Sequence, residues 1–492
     1  MGPRKRKRSA VTEKAIVAVD LGAQSCRVSL LRWKGGRPEV CVVHRFSNGP
    51  VTSRTGLHWD IKRVFSGVET GLRQCGDAAP EGIASIGIDG WAVDYVRFDR
   101  HGNTIGDPFC YRDERTAHAM REVCRLVPAE RLYALTGIQL LSLNTLFQLY
   151  ADGLAGIDPA SRWLNVPEYV TFLLGGRPVA EYTNATHTQL VSLEGNQWCS
   201  EIFHATGLDL SAAPELVGTG TSVGSITGRL GRLPAFRETR LIVPACHDTA
   251  SAVAAIPAVG DDWAFISSGT WSLVGTVLRR PCVNQEARQM NFTNLGGVGG
   301  SVCFLKNVNG MWLLHQCMEA WAKIGPAWSM GDLLKECERL PPPAALVDVD
   351  DPQLMLPGDL PSRINLQLSE AGHTPLPLNP NGIPKMANVI FHSLAQRYAE
   401  VLKAVSKVTG KKLKRLFIVG GGGRNEFLNR LTAERTGLEL HRGSSEASTI
   451  GNLAIQIASL RSNPNDGIAV NSAAVAHCAE SLSSLSFSGS VE

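Results

Sequence analysis

Apolar positions in this chain fall in short runs, parted by glycine-containing polar turns and alternating with longer stretches at helical spacing. Residues 15–19 (AIVAV) are the first run, an uninterrupted apolar stretch that reads as a buried strand. The run stops at Asp20, LGAQSCR follows, and a second run covers 28–33. Strand, glycine turn and strand predict a hairpin whose tip carries Asp20, Gly22, Gln24, Ser25 and Arg27. Residues 264–278 (AFISSGTWSLVGTVL) repeat the layout. Setting Gly22 on Gly269 also sets Ser25 on Ser272 and Asp20 on Ser267, which suggests two related domains. Each would offer a turn whose backbone N–H groups can hold phosphate oxygens.

Further strands are expected at 83–88 (IASIGI), delivering Asp89, Trp91 and Asp94, and at 302–305, before Lys306 and Asn307. Residues 241–244 lead into HDTASAV, and 416–419 lead into four glycines, 420–423. Helical spacing dominates 128–175 and MWLLHQCMEAW (311–321). The clearest helix is 387–409, with Phe391, Leu394, Ala395, Tyr398, Leu402 and Val405 on one stripe and Gly410 as its stop. Another helix opens near Asn425. Residues 445–460 form a helix whose Ala447, Gly451 and Ala454 permit close packing. The proline-rich span 341–384 reads as an irregular connection, and 481–492 as a frayed tail. Strands alternating with helices define an α/β protein.

A chain of 492 residues is too long for one core, so two large domains are expected. The formal charge of +4 comes from five basic residues at 4–8; without them 44 basic residues face 45 acidic ones. A near-neutral body gives no sign of a nucleic-acid surface, and the basic tail is expected to be a solvated, disordered end, with a nuclear-import patch as the weaker reading. No apolar run approaches the ~18 residues of a membrane span, and no apolar stretch directly follows the basic tail as in a secretory signal. The 12 cysteines include no CxxC pair, which argues against structural zinc and suits a reducing, cytoplasmic setting. Most are expected to be buried.

The stretch with the most chemistry is HDTASAV, 247–253. It places His247, Asp248 and Thr249 where a strand ends and a helix begins, beside unpaired N–H groups. Asp248 is there either as a helix cap or as a general base taking a hydroxyl proton, with His247 and Thr249 orienting that hydroxyl. Strand, glycine loop and helix at 416–425 is either a nucleotide-site layout or simply a tight turn. It lacks the Lys and Ser/Thr of a P-loop, which excludes an ordinary P-loop NTPase. The polar stretch 111–116 (YRDERT) is a binding loop or a helix start.

Taken together, VDLGAQSCRV, IDGWAVDY, EYTNATHTQL, HDTASAV, ISSGTWSLVG, FLKNVNGMWLL and IVGGGGRNEFLN resemble the FGGY carbohydrate kinases, and within them the branch acting on L-rhamnulose. The resemblance runs from about residue 15 to about residue 475. It implies two ribonuclease H-like (actin-like) domains flanking a central cleft. These are an N-terminal domain at 15–258 with the sugar and the base, and a C-terminal domain at 259–475 with the nucleotide. Residues 1–14 and 476–492 are then tails. The implied partners are a ketose, ATP and Mg2+.

By resemblance, Asp248 accepts the proton of the sugar's 1-hydroxyl as it attacks the γ-phosphate. Trp91, Ala92, His247, Thr249 and Asn307 contact sugar. Ala23, Gln24, Ser25, Cys26, Arg27, Thr270, His315 and Gly421 contact ATP, and Asp20 helps hold magnesium. Phosphoryl transfer needs little more than positioning, charge neutralisation and one base. The chain departs from the family at Cys26 and Ala92, where glycine is usual, and at His315, where glutamine is usual. A kinase for another ketose such as L-fuculose is the neighbouring expectation. A sugar- or nucleotide-sensing pseudokinase is the expectation from another class; a chaperone-like ATPase on the same fold is a further one, but nothing in the sequence resembles a separate peptide-binding domain. A monomer or weak homo-oligomer is expected.

Overall fold

The computed structural model describes residues 14–99, 101–194, 196–325, 327–462 and 470–483. The basic run at 4–8 and residues 484–492 lie outside them. The chain divides into two compact units that are not contiguous. One takes the chain up to Pro257, with Gly296–Ser301 and the chain from Ser448 on; the other takes Ala258–Leu295 and Val302–Ala447.

The first unit is built on a six-stranded sheet. Its strands are β1 (Ala15–Leu21), β2 (Ser25–Lys34), β3 (Arg37–Ser47), β4 (Ile83–Gly90), β5 (Ser222–Ser225) and β6 (Arg240–Ile242), in the order β5-β6-β4-β1-β2-β3. β1 is buried at every position, as its unbroken apolar run requires. β1, β2 and β3 form an antiparallel meander. Helix α1 (Ile61–Ala78) then crosses over, so that β4 joins β1 in parallel and β6 joins β4 in parallel. The short helix α2 (Tyr182–Thr186) lies in the long excursion between β4 and β5, and α3 (Asp248–Ala254) follows β6.

The second unit repeats this order. β7 (Trp263–Ser268), β8 (Trp271–Leu278), β9 (Thr293–Gly296), β10 (Val302–Asn309), β11 (Arg415–Val419) and β12 (Glu439–Arg442) run β9-β10-β8-β7-β11-β12. Here β7, β8 and β10 are the antiparallel meander, with β11 and β12 added in parallel beside β7. The echo between the two glycine turns is therefore the visible part of a shared five-strand topology, the ribonuclease H-like arrangement. Helices α4 (Trp312–Trp321), α5 (Ile383–Thr409) and α6 (Glu426–Thr436) belong to this unit; α7 (Ala447–Arg461) and α8 (Ser472–Ser483) end the described chain.

Several expectations need correction. The proline-rich span contains a full helix, Leu360–Glu370, because Pro361 falls in the first turn, where no N–H is needed, and Asp359 caps it. α5 likewise begins at Ile383 with Pro384 in its first turn, ahead of the expected 387. β10 runs on to Asn309, so Lys306 and Asn307 are strand residues rather than the linker after a strand. The expected helical stretch 128–175 includes a strand, Arg162–Asn165, paired with Tyr95–Phe98. Residues 481–483 are helical, the last turn of α8. All twelve cysteines are free thiols, and all but Cys41, Cys124 and Cys282 are buried.

Candidate active site

Three carboxylates meet at the carboxyl ends of the parallel strands in the first unit, the usual place for ligand chemistry in such sheets. Register explains the first two. Asp20 of β1 pairs directly with Asp89 of β4, and parallel partners point the same way. Asp248 arrives by the next crossover: His247 bridges Gly90 in parallel, and Gly90 N–H donates to Cys246 O at 2.9 Å. α3 then starts at Asp248, its first helical residue, while the cap position falls to His247, which makes no side-chain capping bond. The start of α3 is locked by Ser251, whose N–H donates to His247 O at 3.1 Å and whose Oγ donates to Ala245 O at 2.8 Å.

Each carboxylate has different company. Asp20 Oδ2 takes both Arg27 Nε (3.0 Å) and Nη2 (2.7 Å), as the hairpin register Asp20↔Arg27 dictates, and it also accepts from Ser448 Oγ. Asp89 Oδ2 accepts from Asn452 Nδ2 at 2.8 Å, whereas its Oδ1 is buried without a partner. Burial, reinforced by Asp20, lifts the Asp89 carboxyl well above its usual range. Burial and then the Asp20 charge likewise lift Asp248, to about 7. The Asp248 side chain still keeps 34% of its surface open, against 3% for Asp20, so a ligand can reach it. Thr249 Oγ1 donates to Asp248 Oδ1 at 3.2 Å, and His247 Nε2 lies 3.5 Å from the same oxygen. The His247 ring meets His187 edge to face at 4.2 Å; burial pushes both imidazoles down, His187 to about 3, so both are neutral near pH 7.

The β1–β2 turn lies beside this cluster. Asn48 braces it, donating Nδ2 to Gly22 O (3.0 Å) and N–H to Gln24 O (2.9 Å). A Cβ on Gly22 would stand 2.5 Å from Ser25 O, so the turn requires glycine there. Ala23 and Ser25 are half-buried and Gln24 is exposed. Cys26 is already in β2, fully buried and outside the left-handed region, with Sγ directed to Gly22 O at 3.6 Å. Burial pushes its thiol up to about 12. Its side chain therefore adds no bulk to the face of the turn, and any contact with phosphate falls to its backbone.

Trp91 and Ala92 follow β4. Trp91 N–H donates to Leu21 O, and its indole Nε1 is spent on Asp94 Oδ2 at 3.1 Å. Asp94 also accepts from Trp59 Nε1 (2.5 Å), Gln148 Nε2 and Tyr111 N–H, and burial lifts its carboxyl to about 7. The left-handed backbone falls on Val93 (φ 70) and not on Ala92, so alanine is accommodated at 92 without strain. A β-branched residue at positive φ is costly; Thr145 and Gln148 hold it by donating to Val93 O. The stretch 111–116 is tied into the body, with Asp113 accepting Leu57 N–H and Arg115 paired to Asp152 over the Phe109 ring.

In the second unit, Thr270, His315 and Gly421 gather around the β7–β8 turn. Gly269 O and Thr270 O accept the N–H groups of Met311 and Trp312 at the start of α4, and His315 follows one turn later, half-buried. The glycine loop after β11 presses on the same turn. Gly420 is left-handed (φ 85) with Ser268 O 2.8 Å from a would-be Cβ, and one on Gly422 would collide with Ser268 Oγ. Gly421 faces open space, which leaves its backbone bare for a ligand. Asn425 caps α6, accepting Leu428 N–H at 3.0 Å. Asn307 sits on β10 opposite Leu273, away from the turn itself.

Sequence reasoning passed over α7 as a functional element. Its Ser448, Asn452 and Gln456 form one polar stripe at i, i+4 and i+8, bonding Asp20, Asp89 and the backbone of β1 and β4. Three polar residues at helical spacing in an otherwise apolar helix were the available signal. Trp59 and Asn48 carried no comparable signal.

Family models for the FGGY carbohydrate kinases match this chain, the N-terminal domain over residues 15–255 and the C-terminal domain over 264–460, so the chain belongs to that family and is a sugar kinase using ATP. It is 35% identical over 458 residues to a rhamnulokinase of Enterococcus faecalis, covering 92% of this chain and 90% of the relative. A rhamnulokinase of Pectobacterium carotovorum subsp. carotovorum is 38% identical over 453 residues, covering 91% and 88%. In fold it is similar to a ligand-bound xylulose kinase from Lactobacillus acidophilus (TM-score 0.76, 15% identity, 95% of this chain and 92% of that one). The glycerol kinase of Plasmodium falciparum with ADP is also similar (TM-score 0.67, 12% identity, 90% and 88%). Among the described residues no helix is long and apolar enough to cross a membrane.

Proposed function

We propose that this kinase transfers the γ-phosphate of ATP to the 1-hydroxyl of L-rhamnulose, giving L-rhamnulose 1-phosphate and ADP, with Asp248 as the general base. The observation that carries the assignment of the base is the contrast among the three carboxylates. Asp20 is held by Arg27 and Ser448 and Asp89 is wholly buried, whereas the Asp248 side chain stays partly exposed. Its carboxyl, lifted to about 7, is basic enough to take a hydroxyl proton and still ionised in good part at neutral pH. Thr249 and His247 flank the accepting oxygen, and a neutral His247 can hydrogen-bond a sugar hydroxyl without competing for the proton. The choice of ketose rests on the rhamnulokinases named above.

Magnesium fits the residues present. Asp20 and Asp89 offer oxygen donors only, as that ion prefers. Among the described residues Asp89 Oδ1 has no hydrogen-bond partner, and no three acidic, His or Cys side chains stand close enough to ligate an ion together. Asp20, with Asp89 beside it, would hold the ion through its water shell, and when bound the ion neutralises phosphate charge. Arg27 would steer the triphosphate toward the turn at 22–25, and the bare backbone at Gly421 would receive the nucleoside end. An ADP-release assay over a ketose panel tests the proposal. L-rhamnulose should give the highest kcat/KM, and turnover with L-fuculose alone would replace the substrate while leaving the mechanism.

A further inference from the structure

The motif EYTNATHTQL, 181–190, has no part in the chemistry so far, yet it touches the catalytic segment directly. Glu181 ends a short strand, Val179–Glu181, and is completely buried. Its Oε2 accepts Thr183 N–H (3.0 Å), Thr183 Oγ1 (2.5 Å) and Cys246 N–H (3.0 Å), and its Oε1 accepts Thr219 Oγ1 at 2.6 Å. Thr183 Oγ1 in turn accepts His247 N–H at 3.4 Å. The chain has left β6 at Ile242, so no sheet ladder serves the N–H groups of Cys246 and His247. Two side chains from α2 and its preceding strand hold them instead, on the two peptide units just before Asp248.

Placing a carboxylate here is expensive. Among the described residues no ion pair involves Glu181, and a second buried acid, Glu168, accepts Glu181 N–H and Asn184 Nδ2 close by. Burial and the neighbouring Glu181 charge lift the Glu168 carboxyl to about 8, and burial raises the Glu181 carboxyl too, opposed by the hydrogen bonds donated to it. Bonds to an ionised acceptor are shorter and stronger than neutral ones. A buried carboxyl group that holds four donors at once therefore fixes the backbone on which it acts.

We infer that Glu181 and Thr183 are positioning residues for the reaction: by gripping the N–H groups of Cys246 and His247 they set where the Asp248 carboxylate stands against the sugar hydroxyl. The inference rests on the proposed role of Asp248. The test compares Thr183→Val, Thr183→Ser, Glu181→Gln, Asp248→Asn and Thr219→Val, measuring kcat, both KM values and Tm. Thr183→Val keeps the shape but loses the hydroxyl, and kcat should fall about 10- to 100-fold, as for a displacement approaching 1 Å. KM for ketose and ATP should stay within a few-fold, and Thr183→Ser should restore most of the rate. Glu181→Gln should lower kcat in the same direction, and it serves if the valine variant does not fold. Thr219→Val removes the bond to the other carboxylate oxygen and should lower Tm without a comparable loss of kcat. Unchanged kcat in Thr183→Val, or an equal loss in Thr219→Val, overturns the inference while leaving the proposed function standing. A wild type inert on every ketose, or an active Asp248→Asn, overturns the proposed function and this inference with it.

Discussion

Gly451→Ala probes how Asp248 is placed, through a contact on the far side of its helix. Gly451 is buried in the middle of α7, and a Cβ built there lies 1.8 Å from Ser251 O and 2.6 Å from its carbonyl carbon. Ser251 belongs to the first turn of α3, three residues after Asp248. Ordinary Cβ contacts begin at 3.4 Å, so the two backbones must separate by about 1.6 Å at this point. Backbone cannot swing aside as a long side chain can, so α3 tilts or slides and carries Asp248 with it. Overpacking of this kind costs about 1–3 kcal/mol, partly offset by the roughly 1 kcal/mol that alanine gains over glycine inside a helix. Stability should therefore fall by at most about 2 kcal/mol, while the rate suffers more, since a misplacement near 1 Å can cost about 10²-fold. The assay is kcat by coupled ADP release with thermal unfolding alongside. Gly153→Ala is the control, because nothing lies within 4 Å of a Cβ at that helical position; it should leave kcat unchanged. If Gly451→Ala keeps kcat within two-fold and Tm unmoved, α3 is not seated on α7 and this account of Asp248 placement is refuted.

Asp248→Asn should lower kcat by about 10²–10⁴-fold while ketose binding persists, since the amide keeps the shape but accepts no proton; turnover within a few-fold of wild type would remove Asp248 from the chemistry. Because the Asp248 carboxyl is lifted to about 7, it is protonated below that pH and cannot act as a base. kcat/KM for the ketose should rise with pH through this region and level off above it, and a flat profile from pH 5.5 to 8.5 would contradict the assignment. Cys26→Gly should leave the ATP KM within a few-fold and lower stability by about 1–3 kcal/mol, through a lost buried thiol and a freer strand. A large gain of activity in that variant would mean that Cys26 obstructs the phosphate turn.

Local pattern determined a good deal about this protein by itself. Uninterrupted apolar runs mark strands buried on both faces, and glycine between them marks a hairpin, because both follow from the chain's own sterics and solvation. Asp20 opposite Arg27, Asn425 as a cap and Gly410 as a stop are consequences of spacings of a few residues. What lay beyond reach was every contact between segments far apart in sequence. That Asp20 shares a register with Asp89 and helps lift the Asp89 carboxyl depends on a crossover through α1. The polar stripe of α7 acquires meaning only when residues 448–456 return to the ends of strands near residues 20 and 89. Cys26 was ambiguous until its φ and burial were known, and the Glu181 clamp on Cys246 spans 65 residues. Strand order and crossover bring such groups together, and neither is encoded in any window short enough to read as periodicity. Tertiary structure alone decides which carboxylate stays open, because exposure depends on what the rest of the fold packs against it.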